Sequence, residues 1–482
     1  MINIDWKPDK TSSIPLYKQI IEYIKLKIKS GEWPIKSKIP PERNLAEKFE
    51  VSRSTITYAL DELKSEGLIE GKGKSGTIVI NNTWSILAST FLSDWGNYVK
   101  YGIHKPNLQT IQIINNKEFE NGIIRLGTGE PSPDLFPHKM MEQVLKNVSQ
   151  KIFSLGYEEP KGSLALRQAI ANYIKKFGIV VSPSSILIVS GSLDALGLIS
   201  MSILQPGSTV LTEKPSYLKS LEVFQSLGMR LKGISMDKNG LILNELNYSI
   251  DKNCSLLYTI PTFHNPTGII MPDKRREELL KICELKRLPI LEDDAYRELY
   301  IDEVPPLPLK AKDKNGMVLY MGTVSKSLFP GIRIGWLIGP ESVIDRLSDI
   351  KMQTDYGASS ISQAVLTEWM ESGLYEKYLI YLRDQLRYRR DTALSTLDKY
   401  FSDIAEWEKP SGGFYIWLKL KKSISMKKLF SACLKNKILI NPGYIYDFNK
   451  NSNIRISYSY ASISQIKYGL KKLSEIIKFW HE

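Results

Sequence analysis

At 482 residues the chain exceeds what one hydrophobic core ordinarily organises, so two or more folded units are expected. Its 43% hydrophobic, 10% aromatic and 24% charged residues are those of a folded globular protein and exclude a disordered or collagen-like chain. The net charge of +13 invites a nucleic-acid or membrane partner, yet residues 1–80 hold 14 Lys and Arg against 11 Asp and Glu, so charge alone nominates no nucleic-acid-binding segment.

Residues 12–80 read as a compact helical module closed by a hairpin. In IPLYKQIIEYIKLKIKSGEW, Ile20, Ile21, Ile24 and Ile28 recur at helical spacing. IPPERNLAEKF places Pro41 at a helix start, with Leu45, Ala46 and Phe49 on one face. After the break EVS, either Ser52 or Ser54 can cap a further helix that turns Ile56, Ala59, Leu60 and Leu63 inward. Two short helices about a tight turn make a helix-turn-helix, and LIEGKGKSGTIVI adds a hairpin wing with a Gly/Lys-rich tip. Residues 81–120 have mixed polarity without a sustained period and read as a linker. Over 121–374, β-like runs such as SILIVSG, TVLTEK, LLYTIPT, LPILEDD and MVLYMGT alternate with amphipathic helical stretches, which argues for βαβ crossovers on a mostly parallel sheet. A smaller α+β part is expected over 375–482, including GGFYIWLKL and NIRISYSY.

The second helix of a helix-turn-helix enters the major groove by its N-terminal end. Here that tip is SRSTITY: Arg53 can chelate a guanine or a phosphate, and Ser52, Thr55 and Thr57 can donate to bases or backbone. Arg43 opens the preceding helix and suits a backbone contact, while Lys72 and Lys74 of the wing, beside Gly73 and Gly76, suit phosphates. Each short motif alone reads equally well as a capped helix start or a solvated turn. In order and at this spacing, LYKQI, IPPERNLA, VSRSTITYALDELKSEGL and GKGKSGTIV resemble the GntR family of bacterial regulators. The departures are Lys36, where that family often has Gly, and Pro41 in place of Ser. The resemblance implies double-stranded operator DNA as a partner.

GTVSKSLFPGIRIGW sets Lys326 between two serines and ahead of Arg333. A lysine amine attacks an aldehyde only when deprotonated, so a Schiff-base lysine needs burial or a neighbouring cation. Arg333 can be that cation and can fork a phosphate. Since an isolated SKS is more often a surface loop, the remaining parts of a pyridoxal phosphate (PLP) site decide. Asp293, ending the apolar run LPILEDD, can keep a ring nitrogen protonated, or be a helix cap. Asn265 in PTFHNPTG and Tyr296 can donate to the phenolic oxygen. IVSGSLDAL is a strand-turn-helix whose start, Ser192 and the Leu193 backbone, can bind the phosphate, with Thr323, Ser325 and Arg333 closing it. Tyr217 can stack on the ring or be a core aromatic, and Arg455 can grip a planar carboxylate or be an exposed strand arginine.

Residues from about 121 to 480 resemble the fold-type I aminotransferases of class I and II, through LGTGEPSPDLFP, YEEPKGSLALR, SGSLDAL, EKPSY, PTFHNPTG, EDDAY, GTVSKSLFPGIRIGW, PSGGFYIWL and NIRISYSY. The resemblance implies that Lys326 carries PLP as a Schiff base, with Asp293 at the ring nitrogen and Asn265 and Tyr296 at the phenolic oxygen. It further implies Arg455 on an α-carboxylate and Gly129 leaving room for the substrate. Tyr157 and Gly162 match a Tyr-x-x-x-x-Gly pattern, which implies that Tyr157 of the partner subunit touches the phosphate, and hence a homodimer.

The two modules joined by a linker resemble the MocR/GabR regulators. That implies a multidomain chain: a mostly α winged helix-turn-helix, then an α/β PLP-dependent transferase of fold type I with a small C-terminal α+β subdomain. It also implies a domain-swapped homodimer in which PLP and a small amino-compound effector alter operator binding. A working aminotransferase with an accessory DNA-binding domain, and a sensor of PLP level that dispenses with Arg455, stay open. Cys254, Cys283 and Cys433 lie too far apart for a disulfide framework or a zinc cluster, and no metal is expected. The opening MINIDWKPDK lacks an apolar signal core and no run reaches the roughly 18 to 20 apolar residues of a membrane span, so a cytoplasmic protein without a membrane partner is expected.

Overall fold

The computed structural model describes residues 4, 6–29, 32–33, 37–66, 68–71, 76–80, 106–151, 156–447, 449 and 451–479. Lys36, Lys72, Gly73, Lys74 and residues 81–105 of the expected linker lie outside these. The chain divides into two units, Met1–Ile113 and Ile114–Glu482.

The first unit is built on α1 (Leu16–Lys29), α2 (Glu42–Phe49) and α3 (Arg53–Ser65), with short strands β1 (Lys38–Ile39), β2 (Ile69–Gly71) and β3 (Thr77–Val79). Pro41 stands at the N-cap of α2, where its fixed φ of −54° and missing N–H cost nothing. Of the two candidate caps for α3 the structure uses Ser52, whose hydroxyl accepts the Thr55 N–H at 3.2 Å. Ile20, Ile24, Leu45, Phe49, Ile56, Leu60 and Leu63 form the core, each contributing roughly 1.5–3 kcal/mol by burial. Ile4 and Trp6, ahead of residue 12, also pack on it, Trp6 stacking on Tyr23 at 4.6 Å. The wing is a three-stranded sheet in the order β1-β3-β2. A two-residue strand such as β1 is too short to show a period, so the sequence gives no sign of it.

In the second unit, β4 (Ile124–Arg125) precedes an eight-stranded sheet of β5 (Ile186–Val189), β6 (Thr209–Lys214), β7 (Arg230–Asp237), β8 (Gly240–Leu241), β9 (Cys254–Thr259), β10 (Ile290–Asp293), β11 (Val318–Thr323) and β12 (Gly335–Ile338), ordered β5-β12-β11-β10-β9-β6-β7-β8. The pairs β11·β10, β10·β9, β9·β6 and β6·β7 are parallel. β12 runs antiparallel to both neighbours, because only the stretch Val324–Ile334, with no crossover helix, leads into it from β11. β5, β11 and β12 are buried along their whole length, as expected of strands covered on both faces.

Beyond the long helix Leu374–Phe401 lies a four-stranded antiparallel sheet of β13 (Ala405–Glu406), β14 (Tyr415–Leu420), β17 (Asn453–Ser457) and β16 (Asn441–Pro442), in that order. The helix Ile463–Lys478, opened by a Ser462/Gln465 capping box, follows. β4 pairs in parallel with β15 (Ile438–Leu439), so the start of the stretch read as the large part is knitted to the C-terminal part. In the helix Gln109–Lys117 the structure has a regular element inside the expected linker. Among the described residues no helix is long and apolar enough to cross a membrane, and no cluster of three His, Cys, Asp or Glu could hold a metal.

Candidate functional site

The parallel strands deliver most of the expected residues at or just beyond their carboxyl ends, where ligands of open α/β sheets sit. β10 ends on Asp293, β11 leads into Ser325 and Lys326, β5 leads into the helix Ser192–Ser202, β6 leads to Tyr217, and β9 to Asn265. Lys326 is half-buried, and its Nζ donates to the Gly129 carbonyl at 2.7 Å. The Asp293 carboxyl accepts the Tyr258 hydroxyl at 2.6 Å and the Ala295 N–H at 3.2 Å. Burial pushes that carboxyl up to about 6, against the pull of these two donors and of Lys326, while part of the residue's surface stays open. A carboxylate so enclosed, with an open side, suits a protonated ring nitrogen. Burial also pushes the Tyr217 phenol up to about 12, Arg455 pulling the other way, so its ring is neutral.

Asn265, Tyr296 and Arg455 converge although they come from distant segments. Arg455 donates to the Asn265 side-chain oxygen at 2.8 Å and to the Gly127 carbonyl at 2.6 Å. Asn265 Nδ2 donates to the Tyr296 hydroxyl at 3.2 Å, which lies 3.0 Å from the Tyr415 hydroxyl. The guanidinium packs over the rings of Tyr415 and Tyr446 at 4.0 and 4.7 Å, which stabilises its charge where water is excluded. At 4% exposed, Arg455 is no surface strand arginine.

The helix Ser192–Ser202 begins without a side-chain cap, after Gly191 at φ 99°. Its first amides therefore offer donors to an anion. Arg333 leans over this turn, donating to the Ser190 carbonyl at 2.9 Å, so near that a Cβ on Gly191 would stand 2.5 Å from its guanidinium. Only a glycine leaves this anion cradle open, and its donors suit the phosphate of PLP. The Thr323 hydroxyl donates within the same loop to Ile334 O (2.9 Å) and accepts the Ser325 N–H (3.1 Å). The Leu193 side chain points away, 56% exposed, leaving only its backbone for such a role. Tyr157 is not drawn into the site of its own chain; 84% exposed, it meets Tyr356 at 4.7 Å between ring centres.

On the first unit, Arg43 and Arg53 are exposed, Arg53 3.5 Å from Glu42. The Thr57 hydroxyl donates to Glu42 at 3.0 Å, and the Ser52 hydroxyl, besides capping α3, lies 2.7 Å from that of Thr55. Glu42 thus holds two of the expected base-reading side chains in place.

Sequence reasoning passed over Tyr258, Tyr415 and Glu42. The first two stand in LLYTIPT and GGFYIWL, where an aromatic reads as core, and their partners lie 35 and 119 residues away. Glu42 carried a signal, since it stands beside Arg43 at the start of the helix that packs on α3.

Two families match the chain: "Aminotransferase class I and II" over residues 121–473 and "Bacterial regulatory proteins, gntR family" over residues 16–79. The chain is 52% identical over 470 residues to the uncharacterized HTH-type transcriptional regulator YdfD of Bacillus subtilis (strain 168), covering 97% of this chain and 98% of that one. It is 35% identical over 448 residues to the HTH-type transcriptional regulator NorG of Staphylococcus aureus (strain N315), covering 92% and 99%. Among solved structures, the kynurenine aminotransferase of Pyrococcus horikoshii, crystallised with PMP, has a TM-score of 0.76 at 30% identity, covering 81% of this chain and all of that one. The chain belongs to the class I and II aminotransferase family and, with its gntR-family DNA-binding unit, is a transcriptional regulator of the MocR type.

Proposed function

We propose that the protein holds PLP at Lys326 and that a small amino compound carrying a carboxylate, entering the same site, changes how a homodimer grips operator DNA. One observation carries this reading: Lys326 and Arg455 bind the carbonyls of Gly129 and Gly127, so an amine competing for the place of the lysine and a carboxylate on the arginine fit a single small molecule. PLP, when bound, supplies an aldehyde carbon that an amine can occupy. Around it Asp293 would keep a proton at the ring nitrogen, Tyr217 would stack as a neutral phenol, and Asn265 and Tyr296 would donate to the phenolic oxygen. Arg333, Thr323, Ser325 and the first amides of the Ser192–Ser202 helix, Ser192 and Leu193 among them, would hold the phosphate. Gly129 keeps the approach clear, since a Cβ there would collide with the Tyr415 hydroxyl.

The exposure of Tyr157 supports a role for Tyr157 of the partner subunit at the phosphate, and with it a domain-swapped homodimer. On DNA, Arg53, Ser52, Thr55 and Thr57 would read the major groove while Arg43, Lys72 and Lys74 hold phosphates, in the cytoplasm where operators lie. A ligand shifts such an equilibrium only by its differential affinity for the two states, so the effector must contact groups that change partners, and Arg455 is one. A second reading, a working aminotransferase, has the presence of Lys326, Asp293 and Arg455 in its favour. Titrating the PLP-loaded protein with a panel of amines and amino acids, followed by visible absorbance and by gel shift on its own upstream DNA, separates the two. The regulator requires an amine that changes both signals; sustained conversion of an amino donor and a keto acid with no change on DNA speaks for the enzyme.

A further inference from the structure

The strip Gly127–Thr128–Gly129 follows β4, and each of its residues binds a different element. Gly127 accepts from Arg455 and Gly129 from Lys326, while the buried Thr128 between them donates its hydroxyl to Glu118 at 3.0 Å. A side chain at Gly127 would strike that of Asn441, so only glycine fits there. Glu118 directly follows the helix Gln109–Lys117, along which the chain passes from the first unit into the second. From the same helix, Asn115 accepts Lys219 Nζ at 2.8 Å, and Lys219 stands two residues beyond Tyr217. Burial holds the Lys219 ammonium below its ordinary range, Glu118 and Glu222 opposing, with Arg455 and Lys326 adding to the depression. Lys219, and through Asn115 the helix, therefore lies within electrostatic reach of Glu118, Lys326 and Arg455.

Resting on the reading of Lys326 as the Schiff-base lysine, we propose that Glu118 is a positioning residue that couples occupancy of the PLP site, through Thr128, to the helix Gln109–Lys117. Condensation of the Lys326 amine with the PLP aldehyde forms a C=N bond at Nζ and releases the aldehyde oxygen as water. At most one proton would then remain on Nζ, so its hydrogen bond to the Gly129 carbonyl would be weakened or lost. Thr128 is joined to Gly129 by a single peptide bond, so an adjustment of Gly129 would pass to it and reach Glu118 through their hydrogen bond. The chain segment leading back toward the DNA-binding unit then registers whether the site is filled, and a carboxylate that draws Arg455 from Gly127 acts on the same strip from its other end.

The test is hydrogen–deuterium exchange of the full-length protein, without and with saturating PLP, read on peptides covering residues 109–118, with the visible Lys326–PLP band measured on the same samples. In the wild type, PLP should change exchange in these peptides by about tenfold, the scale of one hydrogen bond to a charged group. In Thr128→Val the band should form as before while exchange stays the same with and without PLP, and Glu118→Gln, which keeps an acceptor, should retain part of the response. Should Thr128→Val fail to fold, Glu118→Ala, at a half-buried side chain, makes the same comparison. A wild-type response in Thr128→Val or Glu118→Ala, or a band in the wild type with no change over 109–118, overturns the coupling and leaves PLP binding at Lys326 standing. A band that persists in Lys326→Ala overturns that reading and the coupling with it.

Discussion

Removing one hydroxyl, in Tyr258→Phe, tests whether Asp293 is the carboxylate that holds PLP. Tyr258 is fully buried and donates to Asp293 at 2.6 Å. Burial raises the Asp293 carboxyl from 3.8 to about 6, a shift worth roughly 3 kcal/mol. Because the folded value lies above the unfolded one, that contribution to stability is complete below pH 3.8 and is lost as pH rises through about 6. Above that pH the cofactor-free protein carries an ionised, poorly solvated carboxylate, and a protonated ring nitrogen beside it offsets the loss. PLP should therefore raise the melting temperature more at about pH 7.5 than at about pH 5. Deleting a hydrogen bond to a charged group costs roughly 1.5–3 kcal/mol, which moves Asp293 up by about one to two further pKa units. At neutral pH, PLP affinity in Tyr258→Phe should fall roughly 2- to 10-fold, as the ionised fraction of Asp293 drops, and it should recover as rising pH ionises Asp293. Spectrophotometric PLP titrations from about pH 6 to 9 read both effects. An affinity equal to that of the wild type throughout, or a loss that does not recover at high pH, would show that Asp293 does not hold the ring.

Arg455→Ala should leave the PLP band intact but weaken the response to carboxylate-bearing amines by tenfold or more, on the order of the 2 kcal/mol or more lost with a buried charge partner. If every transcriptional response survives that change, sensing of PLP level replaces the effector reading. Gly191→Ala places a Cβ against the Arg333 guanidinium at φ 99°, and calorimetric PLP titration should show weakened binding with the fold retained. Arg53→Ala should weaken operator binding and lower the slope of log affinity against log salt by about one if it grips a phosphate, or relax base preference at one position if it reads a guanine; salt-series fluorescence anisotropy distinguishes the two.

What could be read from the sequence was whatever depends on local chemistry. Pro41 and Ser52 mark helix starts because a ring and a hydroxyl act within three residues, and Lys326 stood out once Asp293, Asn265 and Arg333 appeared in order around it. Long-range packing left no such trace. Tyr258 reaches Asp293 across neighbouring strands, and β4, just ahead of Thr128, pairs through Ile124 with Ile438 of the C-terminal part. The reversal of β12 hangs on the short stretch between Thr323 and Gly335, which the run of β-like segments does not reveal. Tyr157 reads as a cofactor ligand in sequence yet stands on the surface of its own chain.

The most direct measurement follows Lys326 and DNA together: fluorescence anisotropy of labelled upstream DNA titrated with full-length wild type and Lys326→Ala, without and with PLP, recording visible absorbance in the same cuvette. The wild type should show the band and a DNA affinity that changes with PLP and the responsive amine, and Lys326→Ala should show neither while still binding DNA. A band that persists without Lys326, or a wild-type DNA affinity indifferent to everything that enters the site, would contradict a regulator switched through this lysine.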